Sequence, residues 1–142
     1  MTTQVPSSML LAGAAAGNLG FTPANPAGQQ FTGWAATTPV TVSFSATLMA
    51  IDCALSNVFR TTFTANVTVA PTFSNLRDGQ TINWFITQDV GGSKTMTWPT
   101  SFKWPGGTPG VLSTAGNSVD LLVATYRADT GFWYAGLTKA YA

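Results

Sequence analysis

QTINWFITQDVGGSKTMTW, residues 80–98, decides the fold. Ile82, Trp84 and Ile86 alternate with Asn83, Phe85 and Thr87, and a period of two marks a strand with one face in a core. Asp89-Val90-Gly91-Gly92 then supplies residues that favour a tight turn. The stretch therefore predicts a hairpin, with residues 93–98 returning beside the first strand.

The same reading extends outward in both directions. In VTVSFSATLMAI, residues 40–51, Val40, Val42, Phe44, Ala46 and Leu48 fall on one side and Thr41, Ser43, Ser45 and Thr47 on the other. NVFRTTFTANVTVAPTF, residues 57–73, is rich in Thr, Val and Phe, with Val67 and Val69 expected to face one way before Pro71 interrupts. SVDLLVATYR and GFWYAGLTKAY flank Asp129-Thr130-Gly131, which reads as the turn of a closing hairpin. WPTSFKWPGGTPG, residues 98–110, carries three prolines and three glycines and predicts a loop pinned by Trp98, Phe102 and Trp104. After Val40 no dozen residues show helical periodicity with start and stop signals. The expected fold is all-β, an antiparallel, jelly-roll-like β-sandwich over residues 37–142, preceded by an extended N-terminal arm over residues 1–36.

Composition narrows the function. The 142 residues suit one domain, and charged residues make up only 8% of them, against roughly 25% in an ordinary soluble domain. Thr, Ser, Asn and Gln fill the deficit, and a neutral polar surface suits close subunit packing because contact desolvates few charges. Six Lys and Arg residues against five acidic ones leave a net charge of +1. They are scattered singly, without the basic stripe that nucleic-acid binding needs. No run approaches the length of a membrane span. Residues 9–16 are apolar, but no Lys or Arg precedes them, so a signal peptide is not expected.

Catalytic and metal-binding residue sets are not evident. The chain has no His, and no Asp neighbours another in sequence, so neither a usual general base nor an acid–base pair is apparent. Ser93-Lys94 reads as part of a turn rather than a nucleophilic dyad. Asp78, Asp89 and Asp129 occupy expected turns, while Asp52 and Asp120 lie beside strands, where either can pair with an Arg. GAAAGNLG lacks the Lys-Ser/Thr ending of a phosphate loop. The single cysteine, Cys53, excludes an intrachain disulfide and reads as a small buried hydrophobe. No cofactor or metal is expected. The aromatics Trp98, Trp104, Trp133 and Tyr134 are the candidate ligand or interface residues: several exposed together can stack sugar rings, though core and interface packing explains them more simply.

Residues 19–33, LGFTPANPAGQQFTG, are too broken for a helix and too apolar for a free linker. They resemble a short unit of bacteriophage tail-fibre proteins, in which Leu-Gly-Phe/Tyr-Thr-Pro-x-Asn precedes Ala-Gly and then Thr-Gly. Residues 78–137 look like a β-domain recurrent in phage fibre and virion-surface proteins, marked by Gly-Gln before a strand, Trp-Pro, Lys-Trp-Pro-Gly-Gly and a closing aromatic strand. The resemblance implies a non-enzymatic, trimeric protein of the virion, assembled in the bacterial cytoplasm. Leu19, Phe21, Pro23, Asn25, Phe31 and Trp34 are then the implied oligomer and attachment contacts, unless the arm lies along its own sandwich. The implied partners are two further copies, a tail or major capsid protein and a host surface glycan. A tail-fibre or tail-tip component is the first reading; trimeric capsid decoration is the second and a carbohydrate-binding module the third. On the non-enzymatic reading, incubation with host polysaccharide and peptidoglycan leaves both full length by size-exclusion chromatography. Shortened products abolished by one Asp-to-Asn change would overturn it.

Overall fold

The computed structural model describes residues 38–141, so the arm residues Leu19, Phe21, Pro23, Asn25, Phe31 and Trp34 lie outside the described part. Eight strands form in chain order: β1 (Val40–Thr41), β2 (Ala50–Asp52), β3 (Val58–Phe63), β4 (Thr72–Ser74), β5 (Thr81–Gln88), β6 (Phe102–Lys103), β7 (Val119–Arg127) and β8 (Phe132–Tyr141). A six-stranded sheet runs in the order β1-β3-β5-β7-β8-β6, and β2 pairs with β4 in a small second sheet. The all-β expectation is met.

Pairing within the large sheet is mixed. β5–β7 and β7–β8 are antiparallel, as expected, but β1–β3, β3–β5 and β6–β8 are parallel. A parallel pair needs a connection of roughly a dozen residues or more to bring the chain back to the same end. Residues 42–57 and 64–80 supply two such connections, and each places one short strand, β2 or β4, in the second sheet. Phe73 of β4 then packs on Trp84, Phe102 and Trp133 of the large sheet, with ring centroids 6.3, 5.3 and 5.5 Å away.

Alternation holds along β5, where Ile82, Trp84, Ile86 and Gln88 are all buried. Trp84 sits in the core and donates its Nε1–H to Thr61 Oγ1 at 3.0 Å. The hairpin predicted after β5 does not form, because β3 and β7 occupy both edges of that strand. The buried Gln88 amide takes the place of a ladder, accepting the Lys94 N–H at 2.8 Å and donating to the Lys94 carbonyl at 2.9 Å. Residues 93–98 are thereby held off β5, and Met96 bridges Val67 instead. The turn itself is present: Asp89 accepts the Gly92 N–H and pairs with Lys94 at 3.2 Å. It interlocks with residues 113–118 so closely that a Cβ on Gly116 would overlap the Val90 carbonyl.

The predicted strand over residues 40–51 keeps its phase only to Phe44. Ser45 Oγ accepts the N–H groups of Thr47 and Leu48, making a turn that inverts the pattern. Leu48 is 80% exposed and Met49 2%. Val67 is buried but Val69 is exposed, because the N–H groups of Thr68 and Val69 both point at the Ala46 carbonyl. The closing hairpin is as expected, with Gly131 in its turn at φ 69°.

Neither candidate Asp pairs with an Arg. Asp52 accepts from Asn75 Nδ2 and the Ala54 N–H, which hold its carboxyl below the usual carboxylate range. Buried Asp120 accepts the Ser113 N–H and hydroxyl, each at 2.6 Å, and the Ala140 N–H at 2.9 Å. It fills a gap in the β7–β8 ladder, where the register shifts and Ala140 takes φ 61°. Arg127 pairs with Asp129 instead.

Two outcomes follow from these buried groups. Asp120→Asn turns an amide NH2 toward a fixed N–H donor whichever way it flips, and is expected to cost about 1–3 kcal/mol. Urea denaturation checks this as a lower midpoint at unchanged slope. Cys53 is buried, and burial followed by the nearby Asp52 charge pushes its thiol up to about 11. The unfolded chain then loses the proton first, so this thiol makes stability fall as pH rises from about 9 toward 11. Alkylation of the native thiol at pH 8 is expected to be negligible until denaturant is added; rapid native labelling would contradict the burial.

Candidate functional site

Residues 98–110 form a loop folded against the β8 edge. Phe102 N–H closes a turn onto the Pro99 carbonyl, and Trp133 N–H donates to the Ser101 carbonyl, which sets β6 beside β8 with Phe102 opposite Trp133 and Lys103 opposite Tyr134. Pro105–Gly107 makes one 3₁₀ turn, with Gly106 and Gly107 at φ 67° and 76°. Glycine reaches these left-handed angles at little cost. Trp98 Nε1–H closes the loop onto the Gly110 carbonyl at 2.6 Å. A Cβ on Gly110 would meet Leu137 and Trp104 at about 3 Å, so this glycine lets the loop lie flat.

The four predicted aromatics separate by position. Trp98 and Trp104 meet edge to face at 4.9 Å and are both half-buried. Trp133 is only 1% exposed and belongs to the core, in contact with Tyr126, Phe73 and Phe102. Tyr134, the next residue on the strand, points to the opposite face and is 44% exposed. Strand parity divides the pair.

Trp104 borders three shallow depressions. One, about 440 Å³, is lined by Trp104, Pro105, Lys103, Tyr134, Ala135 and Gly136. A second, about 380 Å³, continues past Trp104 to Thr108, Val123 and Thr138, again over Gly136. The third lies between Trp98, Pro109 and Trp104, with Lys103 on its rim. The Lys103 ammonium sits 4.0 Å from the centre of the Phe132 ring, and the Arg127 guanidinium 5.8 Å from that of Tyr134. The Asp129 carboxylate, by hydrogen bond and charge, and to a smaller extent Tyr134 favour the charged guanidinium of Arg127.

Sequence reasoning missed Lys103 and Gly136. The signal for Gly136 is a lone glycine set among Phe132, Trp133, Tyr134, Ala135 and Leu137 of a strand, which suggests a bulge or a close approach. Lys103 carried no signal, since its place beside Tyr134 depends on a parallel pairing between distant segments. Among the described residues, no His, Cys, Asp or Glu side chains cluster with metal-binding geometry, and no helix is long and apolar enough to cross a membrane.

An all-β module with a neutral surface and one open aromatic edge is a class suited to assembly and surface contact. Residues 35–130 match the family described as "Putative phage tail fibre C-terminal domain". The chain belongs to that family of phage tail-fibre domains, and is thereby a virion-associated protein. No curated protein and no solved structure matches it.

Proposed function

We propose that this chain is a non-enzymatic structural component of a phage tail fibre or tail tip, exposed on the particle and working as a homotrimer. The family match over residues 35–130 is the observation that carries the reading. The outer face of the large sheet supports self-association. Its row Arg60, Phe85, Leu121 and Thr138 crosses four strands, and Arg60 is the one charge among the outward residues of β3 and β5. Joining such faces strips water from few charges.

On this reading residues 1–36 attach the domain to other virion proteins and to its own copies, with Leu19, Phe21, Pro23, Asn25, Phe31 and Trp34 as the contacts. The aromatic edge is left for a host surface glycan. Assembly takes place in the bacterial cytoplasm.

Light scattering of the purified chain at micromolar concentration is expected to give three times the chain mass. Deleting residues 1–33 is expected to keep the β-type circular dichroism of the domain while abolishing binding to particles that lack the protein. A monomer that remains monomeric on the particle would remove the trimer. Hundreds of copies per virion, rather than a few to a few dozen, would move the protein from tail to capsid.

A further inference from the structure

Gly136 is the residue that calls for an explanation. It lies inside β8, paired with Val123, where a glycine weakens the strand. Other glycines here have evident causes: Gly79 and Gly131 adopt left-handed φ, while a Cβ on Gly92 or Gly116 would run into backbone. Gly136 has neither cause, since its φ is not left-handed and a Cβ there would meet nothing within 4 Å. What its missing side chain does is keep a floor open, because Gly136 lines both depressions that flank Trp104 and Pro105.

The geometry points to a stacking site for a pyranose ring that carries a carboxylate, laid over Gly136 between Trp104 and Tyr134. A pyranose has an apolar C–H face that packs on aromatic rings and an equatorial rim of hydroxyls that needs polar partners. Trp104, Pro105 and Tyr134 supply the first, and Thr108 and Thr138 on the far side of Gly136 supply the second. Each depression falls within the range of roughly 300–1,000 Å³ that small-molecule sites occupy. Charge selects the acidic sugar: Lys103 borders two of the three depressions, and among the described residues no carboxylate lines any of them. This deepens the glycan contact proposed above but does not depend on trimerisation. Three copies would add avidity to a site that is shallow and weak alone.

The test is a titration of the full chain with glucuronic acid and, separately, glucose, followed by NMR of the tryptophan indole N–H resonances, with light scattering in parallel. Glucuronic acid is expected to shift the Trp104 indole with millimolar affinity, about fivefold tighter than glucose. Lys103→Gln is expected to bring the two sugars to equal affinity. Gly136→Thr is expected to abolish both shifts while leaving the remaining spectrum folded, since a side chain there meets open space in the protein. The site is overturned if neither sugar moves Trp104, or if Gly136→Thr still binds. If Gly136→Thr instead lowers the oligomer mass, the occupant is a second copy of the chain and the sugar assignment fails. A monomeric wild type that binds normally refutes the trimer alone.

Discussion

Parallel pairing of β1, β3 and β5 is the constraint on which the remaining architecture depends. A chain that must lay consecutive sheet strands in the same direction has to return each time to its starting end. Here the return runs over one face of the sheet, and β2 and β4 are the segments that make it. The second layer is thus a product of the connections. Ile51 and Phe73, at matched positions of β2 and β4, help to cover Trp84 and its neighbours because of that route. The antiparallel half, β7 and β8, then closes the other flank of β5 and carries the aromatic loop on its outer edge.

Where one strand face is buried and the ladder is regular, side-chain pattern was enough to read the structure. β5 and the closing hairpin show this, and so does the turn at Gly131. The reading failed where a side chain substitutes for backbone. Ser45 caps a turn that reverses the phase of its segment, Gln88 mimics a neighbouring strand, and Asp120 fills a missing rung. Each residue looks like an ordinary polar position in a periodic stretch, and nothing local distinguishes its role. Parallel register was hidden for a different reason, since it depends on which distant segment claims a free strand edge.

The candidate site was legible by residue type but not by arrangement. Trp98 and Trp104 come together in the loop, and the alternation along β8 already separates Trp133 from Tyr134. Which of the two faces is open depends on the layer formed by β2 and β4, whose existence depends in turn on the parallel crossovers. Lys103 reaches Tyr134 through the two-residue pairing of β6 with β8. Such a short pairing leaves almost no trace in sequence, yet it holds the charged rim of the aromatic edge in place.

The edge position of β1 has a mechanical consequence. The Thr38 carbonyl accepts the Ser56 hydroxyl, and the segment after it is tied to the sheet by the two-residue β1 ladder and the Val42 N–H bond to the Arg60 carbonyl. Tension applied at Thr38 along the chain loads these few bonds before any others among the described residues. Pulled along the strand, they bear the load together in shear; pulled sideways, they peel one at a time. The buried core around Trp84 lies two strands further in, so the edge can yield and re-form while the centre of the sheet stays intact.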